Sequence, residues 1–483
     1  MKPDDTPACP WPAPRARVAR ACLGAALLLA LGGCGALLES DYSTPQANVP
    51  AQWTQGPSAG AAPADGRWWE NFGDPRLDRL VEGALARNND LAAAAIRVRR
   101  AQLEAGLAED QMFPFLSADA NVGRDETLRG PSIVTRTNSV NLTVSYEADL
   151  WGRLARQRDA AQWEALATEQ DRQSAALSLI GTTAEFYWRI AHINQRLETS
   201  RQSIEYARRT LELVQAQYDA GGASGLEMAE ARQNLASQQA AHTLLRQQRV
   251  EFLNGLAILF DGPPGRVMAD PPALPAGPVP GVRAGVPADV LARRPDLRAA
   301  ELRLRASLAT ADATRAGYYP PLTLTGALGG ASSSLSTVLQ NPVATLGAGI
   351  VLPFLQWNEM RLSIRVSEAD YEIAVVNFRQ ALYQALADVE NALAARRHYE
   401  EQNALLRESL RAAREAESLY EVRYRAGAVA LRFWLDAQEK RRNAEVALAE
   451  NELNRLLNQV DVYLALGGDD QPAAVPAGAS GQP

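Results

Sequence analysis

Two stretches decide the fold of this chain. They are LARNNDLAAAAIRVRRAQLEAGLAEDQMFPFLSADANVG (Leu85–Gly123) and LARRPDLRAAELRLRASLATADATRAGYYPPLTLTGALG (Leu291–Gly329). They align without a gap at an offset of 206 residues. The same offset pairs Asp90 with Asp296, Pro114 with Pro320, Trp151 with Trp357, Tyr218 with Tyr424 and Gly221 with Gly427. It also pairs LAILFDG (Leu256–Gly262) with VYLALGG (Val462–Gly468). One offset held over most of two long segments is a duplication, and each copy is one structural unit.

The order of signals is the same in both copies. A helical pattern comes first, at 77–111 and 289–317. A proline follows, Pro114 or Pro320, then a strand-like region, then a long helical hairpin. No proline occurs between Ser132 and Gly262, or between Phe354 and Gln471. Apolar residues recur at alternating three and four spacing in three runs: Leu177, Ile180, Ala184, Tyr187, Ala191; Leu362, Val366, Ala369, Ile373, Val376; and then Leu382, Leu386, Val389, Leu393. That is coiled-coil patterning. Helices from about Arg153 to Asp219 and Met360 to Arg425 would each reach ~100 Å at 1.5 Å per residue. Such lengths serve reach rather than a compact core.

The strand-like regions alternate with period two. Leu116, Ala118, Ala120 and Val122 alternate with Ser117, Asp119 and Asn121; Val140, Leu142, Val144 and Tyr146 alternate with Asn141, Thr143, Ser145 and Glu147. Leu322 and Leu324 alternate with Thr323 and Thr325, and Leu346, Ala348, Ile350 and Leu352 share a face. One apolar and one polar face fits a lipid-facing wall around an aqueous lumen; a sandwich with one solvated face has the same pattern. Four strands cannot close a water-filled barrel, so several copies would have to contribute.

Composition narrows the function. The 483-residue chain has 49 Lys+Arg against 56 Asp+Glu, a net charge of −7, which argues against a nucleic-acid partner. The three histidines, His192, His242 and His398, are scattered, and no Cys/His cluster suggests a metal site. No Ser/His/Asp or Cys/His arrangement suggests an enzyme.

The N-terminus reads as an address. Three arginines in RARVAR precede the apolar run Ala21–Leu31, which is short for a membrane span. LGGC (Leu31–Cys34) resembles a bacterial lipoprotein box. Residues 1–33 are then a cleaved signal peptide, and Cys34 is the lipidated first residue of the mature chain. Of Cys9, Cys22 and Cys34 only the last survives, so the mature chain has no internal disulfide. An ordinary signal peptide with an incidental cysteine is the plainer alternative.

With these motifs in view, the chain resembles the outer-membrane efflux protein family, the TolC-like channels, and within it the NodT lipoprotein subgroup. The matching strings are DYSTPQANVPAQW (Asp41–Trp53), WWENFGDPRLDRLV (Trp68–Val81), RRPDLRAAE (Arg293–Glu301), YYPPLTLTG (Tyr318–Gly326), LPFLQWN (Leu352–Asn358) and YRAGAVALRFWLDAQ (Tyr424–Gln438). The resemblance implies a mixed α/β, mainly α fold. A homotrimer forms a 12-stranded β-barrel, four strands per protomer, continued by a coiled-coil tunnel with an equatorial domain. It implies an exit channel, not an enzyme, in the outer membrane of a Gram-negative bacterium. The partners are a periplasmic adaptor (membrane fusion protein), an inner-membrane pump of the resistance-nodulation-division (RND) type and outer-membrane lipid. No cofactor is implied apart from covalent lipid on Cys34.

The expected organisation is a signal at 1–33 and a lipidated extension with an equatorial segment at 34–76. The first repeat is 77–262, with strands in 115–148 and a hairpin at 153–260. A Pro/Gly-rich connector spans 263–288. The second repeat is 289–468, with strands in 321–354 and a hairpin at 359–466, and 469–483 is a disordered tail. Function is expected at the hairpin turns, where Gly221 and Gly427 suit helix C-caps. By resemblance Asp436 is the ring aspartate of the periplasmic gate, and Tyr424 bonds to an acid whose place Glu227 takes. Here Arg432-Phe433-Trp434 precedes the aspartate, and Val429 stands where an arginine is common. Arg432 could pair with Asp436 or Glu227, and Phe433 and Trp434 could form a plug or meet the adaptor. The alternatives are a type I secretion exit channel of the same fold and, in another class, a periplasmic coiled-coil adaptor lipoprotein.

Overall fold

The structure is a computed structural model that describes residues 39–54, 67–275, 277–281, 287 and 292–468. The signal peptide, Cys34 and the 469–483 tail lie outside the described residues. The described residues form two compact units. One takes its residues from 1–45, 99–167 and 301–378; the other from 46–98, 168–300 and 379–483.

The first unit holds a four-stranded antiparallel sheet. Its strands are β1 (Phe115–Glu126), β2 (Val134–Ala148), β3 (Leu322–Ser332) and β4 (Val343–Ile350), in the order β1-β2-β3-β4. Period two and register together sort the faces. Leu116 lies opposite Val144, Leu142 opposite Leu328, and Leu324 opposite Ala348. On the other face Ser117 meets Thr143, Asp119 meets Asn141, and Ser145 meets Thr325. The apolar face is uncovered: Leu116, Val122, Leu142, Leu324 and Leu346 are exposed. An uncovered apolar face opposite a polar one is the pattern of a strand wall that faces lipid on one side.

The helices follow the same duplication. They are α1 (Pro75–Arg87), α2 (Asn89–Asp110), α3 (Arg153–Asp219), α4 (Gly225–Ile258), α5 (Pro295–Ala316), α6 (Trp357–Arg425) and α7 (Leu431–Ala465). The single helix expected at 77–111 is two. Asn88 breaks it: its backbone is extended, and its side chain accepts from the Leu91 N–H and donates to the Leu259 carbonyl. An asparagine can satisfy the first turn of a new helix this way. At the equivalent place in the second copy, the helix expected at 289–317 is interrupted at Arg294. Pro295, which lacks an N–H, opens α5.

The 67-residue α3 and 69-residue α6 form the two hairpins with α4 and α7. In the second unit the apolar stripes are buried. Ile180, Ala184, Tyr187 and Ala191 join a core with Trp68, Trp69, Trp188, Leu256 and Val460; Leu382, Leu386, Val389 and Leu393 pack with Trp53 and Leu297. Trp68 stacks on Tyr463 at 4.8 Å, and Tyr187 donates to Asp74, which also caps α1. In the first unit the stripe differs from expectation. Leu362, Val366, Ile373 and Val376 are exposed, with that face left uncovered among the described residues.

Candidate functional site

The hairpin tips converge in the second unit. Each long helix ends the same way. Gly221 and Gly427 have φ of +76° and +68°, which glycine adopts without penalty. Gly221 N–H donates to the Tyr218 carbonyl and Gly222 N–H to the Gln217 carbonyl; Gly427 and Ala428 do the same to Tyr424 and Arg423. This double bond pattern is a Schellman motif, and it satisfies carbonyls the helix end leaves open. The returning helices start differently. Ser224 and Glu227 form a reciprocal capping box at α4, whereas Ala430 before α7 has no side-chain cap.

Between the tips lies an aromatic core. Trp434 is buried with Val214, Met228, Ala231, Tyr424 and Leu431. Its ring stacks on Tyr424 at 5.4 Å and meets the Tyr206 edge at 6.1 Å. The Tyr424 hydroxyl donates to Gln217 Oε1 at 2.6 Å, tying the end of α6 to the end of α3. Burial raises the Tyr424 pKa above the ordinary phenol value, and the Glu227 carboxylate adds to that.

The resemblance-derived residues are placed as follows. Tyr424 and Glu227 are near one another, but the Tyr424 bond goes to Gln217. Glu227 is held instead by the Ser224 backbone N–H and hydroxyl at 2.8 and 3.2 Å. Arg432 does not pair with Asp436 or Glu227 among the described residues; its guanidinium lies 5.0 Å from the Phe433 ring centre. Phe433 is exposed and stacked on Tyr420 at 6.4 Å. Trp434 is not free to plug a lumen or meet a partner, because its own hairpin tips bury it. Asp436 is exposed on the second turn of α7.

A second polar cluster sits further along the helices and has no local sequence signature. Tyr206 donates to Glu421 at 3.1 Å. Arg441 bridges Glu417 and Glu445, and Arg414 reaches Glu445 at 3.0 Å. These groups border a cavity of about 870 Å³ between the four hairpin helices. Burial pushes the Glu417 carboxyl up despite the nearby Arg441 charge, which lowers it.

Amphipathic strands, two helices of this length and paired glycine-capped tips define a channel protein. The outer membrane efflux protein family model matches residues 80–260 and 286–468, and the chain belongs to that family. It is 36% identical over 431 residues to the Pyoverdine export outer membrane protein OpmQ of Pseudomonas putida, covering 87% of this chain and 92% of that one. The structure of the outer-membrane channel OprN matches with a TM-score of 0.81 at 27% identity, over 90% of this chain and 99% of that one. The open-state MtrE outer membrane channel of Neisseria gonorrhoeae matches with a TM-score of 0.76 at 28% identity, over 89% and 98%. The fold is therefore that of the TolC-like channels, and the chain serves as an outer-membrane exit channel in efflux. The adaptor reading falls with this result, since the duplication and the sheet are channel features.

Proposed function

We propose that three copies of this chain close one 12-stranded barrel and its helical tunnel, and that the tips gate the periplasmic end. The observation that carries this is the four-stranded sheet with one exposed apolar face and one polar face, joined to 67- and 69-residue helices. A sheet with open edges is not stable in lipid, so the strands must be completed by other copies. The polar faces then line a water-filled path.

The same reading gives the channel a periplasmic adaptor and an inner-membrane RND-type pump as partners. The pump supplies the energy and the cargo; the channel conducts passively. Relatives are named for pyoverdine export and for toluene efflux, and an exit duct takes what its pump delivers. Cys34, at the end of the apolar run, carries lipid and anchors the N-terminus to the outer membrane beside the barrel. Asp436, exposed on each of three tips, forms the acidic ring; like charges converging on one axis favour cations there. Tyr424 holds its tip closed through Gln217.

The decisive experiment is conductance of purified protein in planar bilayers. Tyr424→Phe with Asp436→Ala should raise single-channel conductance, by loosening the tips and removing the ring. Unchanged currents would remove the gate assignment. In cells, cross-linking should capture an adaptor and a pump, and Cys34→Ser should reduce outer-membrane sorting while leaving conductance intact.

A further inference from the structure

The two ends of the apolar sheet face differ in chemistry. Even-numbered residues of β1 and β2 share that face, Leu116 and Val144 among them. Tyr146 stands on it near the helices, and the segments that join the sheet to its helices expose Phe113, Phe354 and Trp357. Aromatic rings suit a membrane–water interface. At the far end the same face carries Arg124 and Arg136, directly opposite each other across the hairpin.

Two like charges opposite one another on a sheet face, with Cβ atoms about 5 Å apart, repel. The chain does little to relieve this. Arg124 gives an N–H to Glu126 Oε2 at 3.2 Å, and Glu126 also accepts from the Ser132 hydroxyl at 3.1 Å. Arg136 has no hydrogen-bond or ion-pair partner among the described residues, and both arginines are exposed. Asp125 belongs to the polar face, and the connecting turn adds a further cation, Arg129. Most N–H donors of the two guanidinium groups therefore stay open.

The position fits the outer edge of a membrane. Tyr146 and Arg136 are ten residues apart on β2, ~34 Å along the strand, or ~26 Å across the membrane at a barrel tilt of about 40°. The outward apolar band of such barrels is ~25 Å tall. The helices leave the sheet at the Tyr146 end, so the arginines lie at the end remote from the tunnel. The pair is built on one hairpin only. The offset of 206 residues turns Arg124 into Gly330 and Arg136 into Pro342. Gly330 lies against the Val338 carbonyl, where no side chain fits. β2 runs past its last β3 partner, Asn138↔Ser332, before it reaches Arg136, so Arg136 has no β3 neighbour across that edge.

We infer that Arg124 and Arg136 grip the phosphate of a lipid headgroup in the outer leaflet, one lipid per protomer. A phosphate monoester carries close to two negative charges and accepts paired N–H bonds from both guanidinium groups. It turns a repelling pair into a bridged one, while the acyl chains lie along the exposed Val122, Leu142 and Leu116. A zwitterionic headgroup brings its own cation beside the phosphate and relieves the pair less. This rests on the closed-barrel reading above, which sets this end of the sheet in the outer leaflet.

The test uses the full chain as trimers in nonionic detergent, with bisphosphorylated lipid A as the probe and native mass spectrometry to count bound lipid. The unsubstituted protein should take up one lipid A per protomer. Arg124→Gln with Arg136→Gln should weaken binding by roughly tenfold or more. Arg136→Gln alone should weaken it less, and it carries the test if the double variant fails to assemble. Arg99→Gln removes an exposed charge on α2 and should bind as the unsubstituted chain does; an equal loss there would reduce the effect to net charge and overturn the site. Neither phosphatidylcholine nor inorganic phosphate, in molar excess, should displace lipid A. Displacement by inorganic phosphate would overturn the lipid assignment in favour of a free-anion site, and displacement by phosphatidylcholine would overturn phosphate selection. Variant trimers that bind lipid A as tightly as the unsubstituted chain overturn the site and leave the barrel standing. Protein that is monomeric by mass before lipid is added overturns the closed barrel itself.

Discussion

The two hairpins share one backbone plan and differ in what they bury. Leu197 and Leu245 pack with Ile193 inside the first hairpin. At the equivalent positions of the second hairpin stand Asn403 and Asn451, also buried, with Asn403 donating to Asn451 at 2.8 Å. Asn451 in turn reaches the Tyr399 carbonyl and Gln402. His192 is buried in the first hairpin, while its equivalent His398 is exposed beside Glu401 in the second. The first turn has a capping box and the second has none. Backbone devices survived the duplication, since glycine φ and strand register tolerate few substitutes. Side-chain layers diverged, since either an apolar pair or a fully bonded polar pair can fill the same space.

The comparison can be broken at its centre first. Trp434→Ala should cost about 3–5 kcal/mol by opening a cavity among Val214, Met228 and Tyr424. A melting curve that does not move would mean the two tips are not packed as one core. Exchanging the layers comes next. Leu245→Asn should cost about 3 kcal/mol, because it removes apolar packing and buries an amide among Ile193 and Leu197. Asn451→Leu leaves Asn403 unpaired and should cost about 1–3 kcal/mol, whereas adding Asn403→Leu should recover most of it. A double variant as weak as the single one would show that the asparagines are not a unit.

Acid should act on the first hairpin. Burial lowers the His192 pKa from 6.5 to about 4, with Arg196 and Arg189 adding to the effect. The unfolded chain therefore binds more protons than the folded one between those values. Stability from this group falls as pH drops from 6.5 towards about 4, by up to roughly 3 kcal/mol. His192→Leu should flatten that part of the pH–stability profile, and a profile that keeps its slope would refute the assignment. The smallest effect belongs to the caps. Ser224→Ala should cost about 1 kcal/mol, and Ala430→Ser should gain a few tenths where no cap exists now. Circular-dichroism melting of the two variants reads both.

Much of this architecture is legible in the residues alone. The duplication, the two long helices, the alternation of strand faces and the glycine turns all rest on local periodicity or on single-residue backbone preferences, which a chain carries wherever it folds. At Asn88 only the cap on the Leu91 N–H is local; the donation to the Leu259 carbonyl that holds the break is remote in sequence and not legible there. The partner of Tyr424 is illegible for the same reason. Gln217 lies in the other hairpin, and Glu227 is claimed first by Ser224, three residues away. Trp434 and Phe433 are neighbours of similar chemistry, yet one is buried and the other exposed, a difference set by the direction each faces from α7.

By itself the sequence determined the repeat, the element types and the apolar faces, because period, proline placement and glycine are properties of short segments. Only the tertiary structure decided which faces are already covered and which polar groups meet. Those outcomes depend on helices and strands that are far apart along the chain and adjacent only once it is folded.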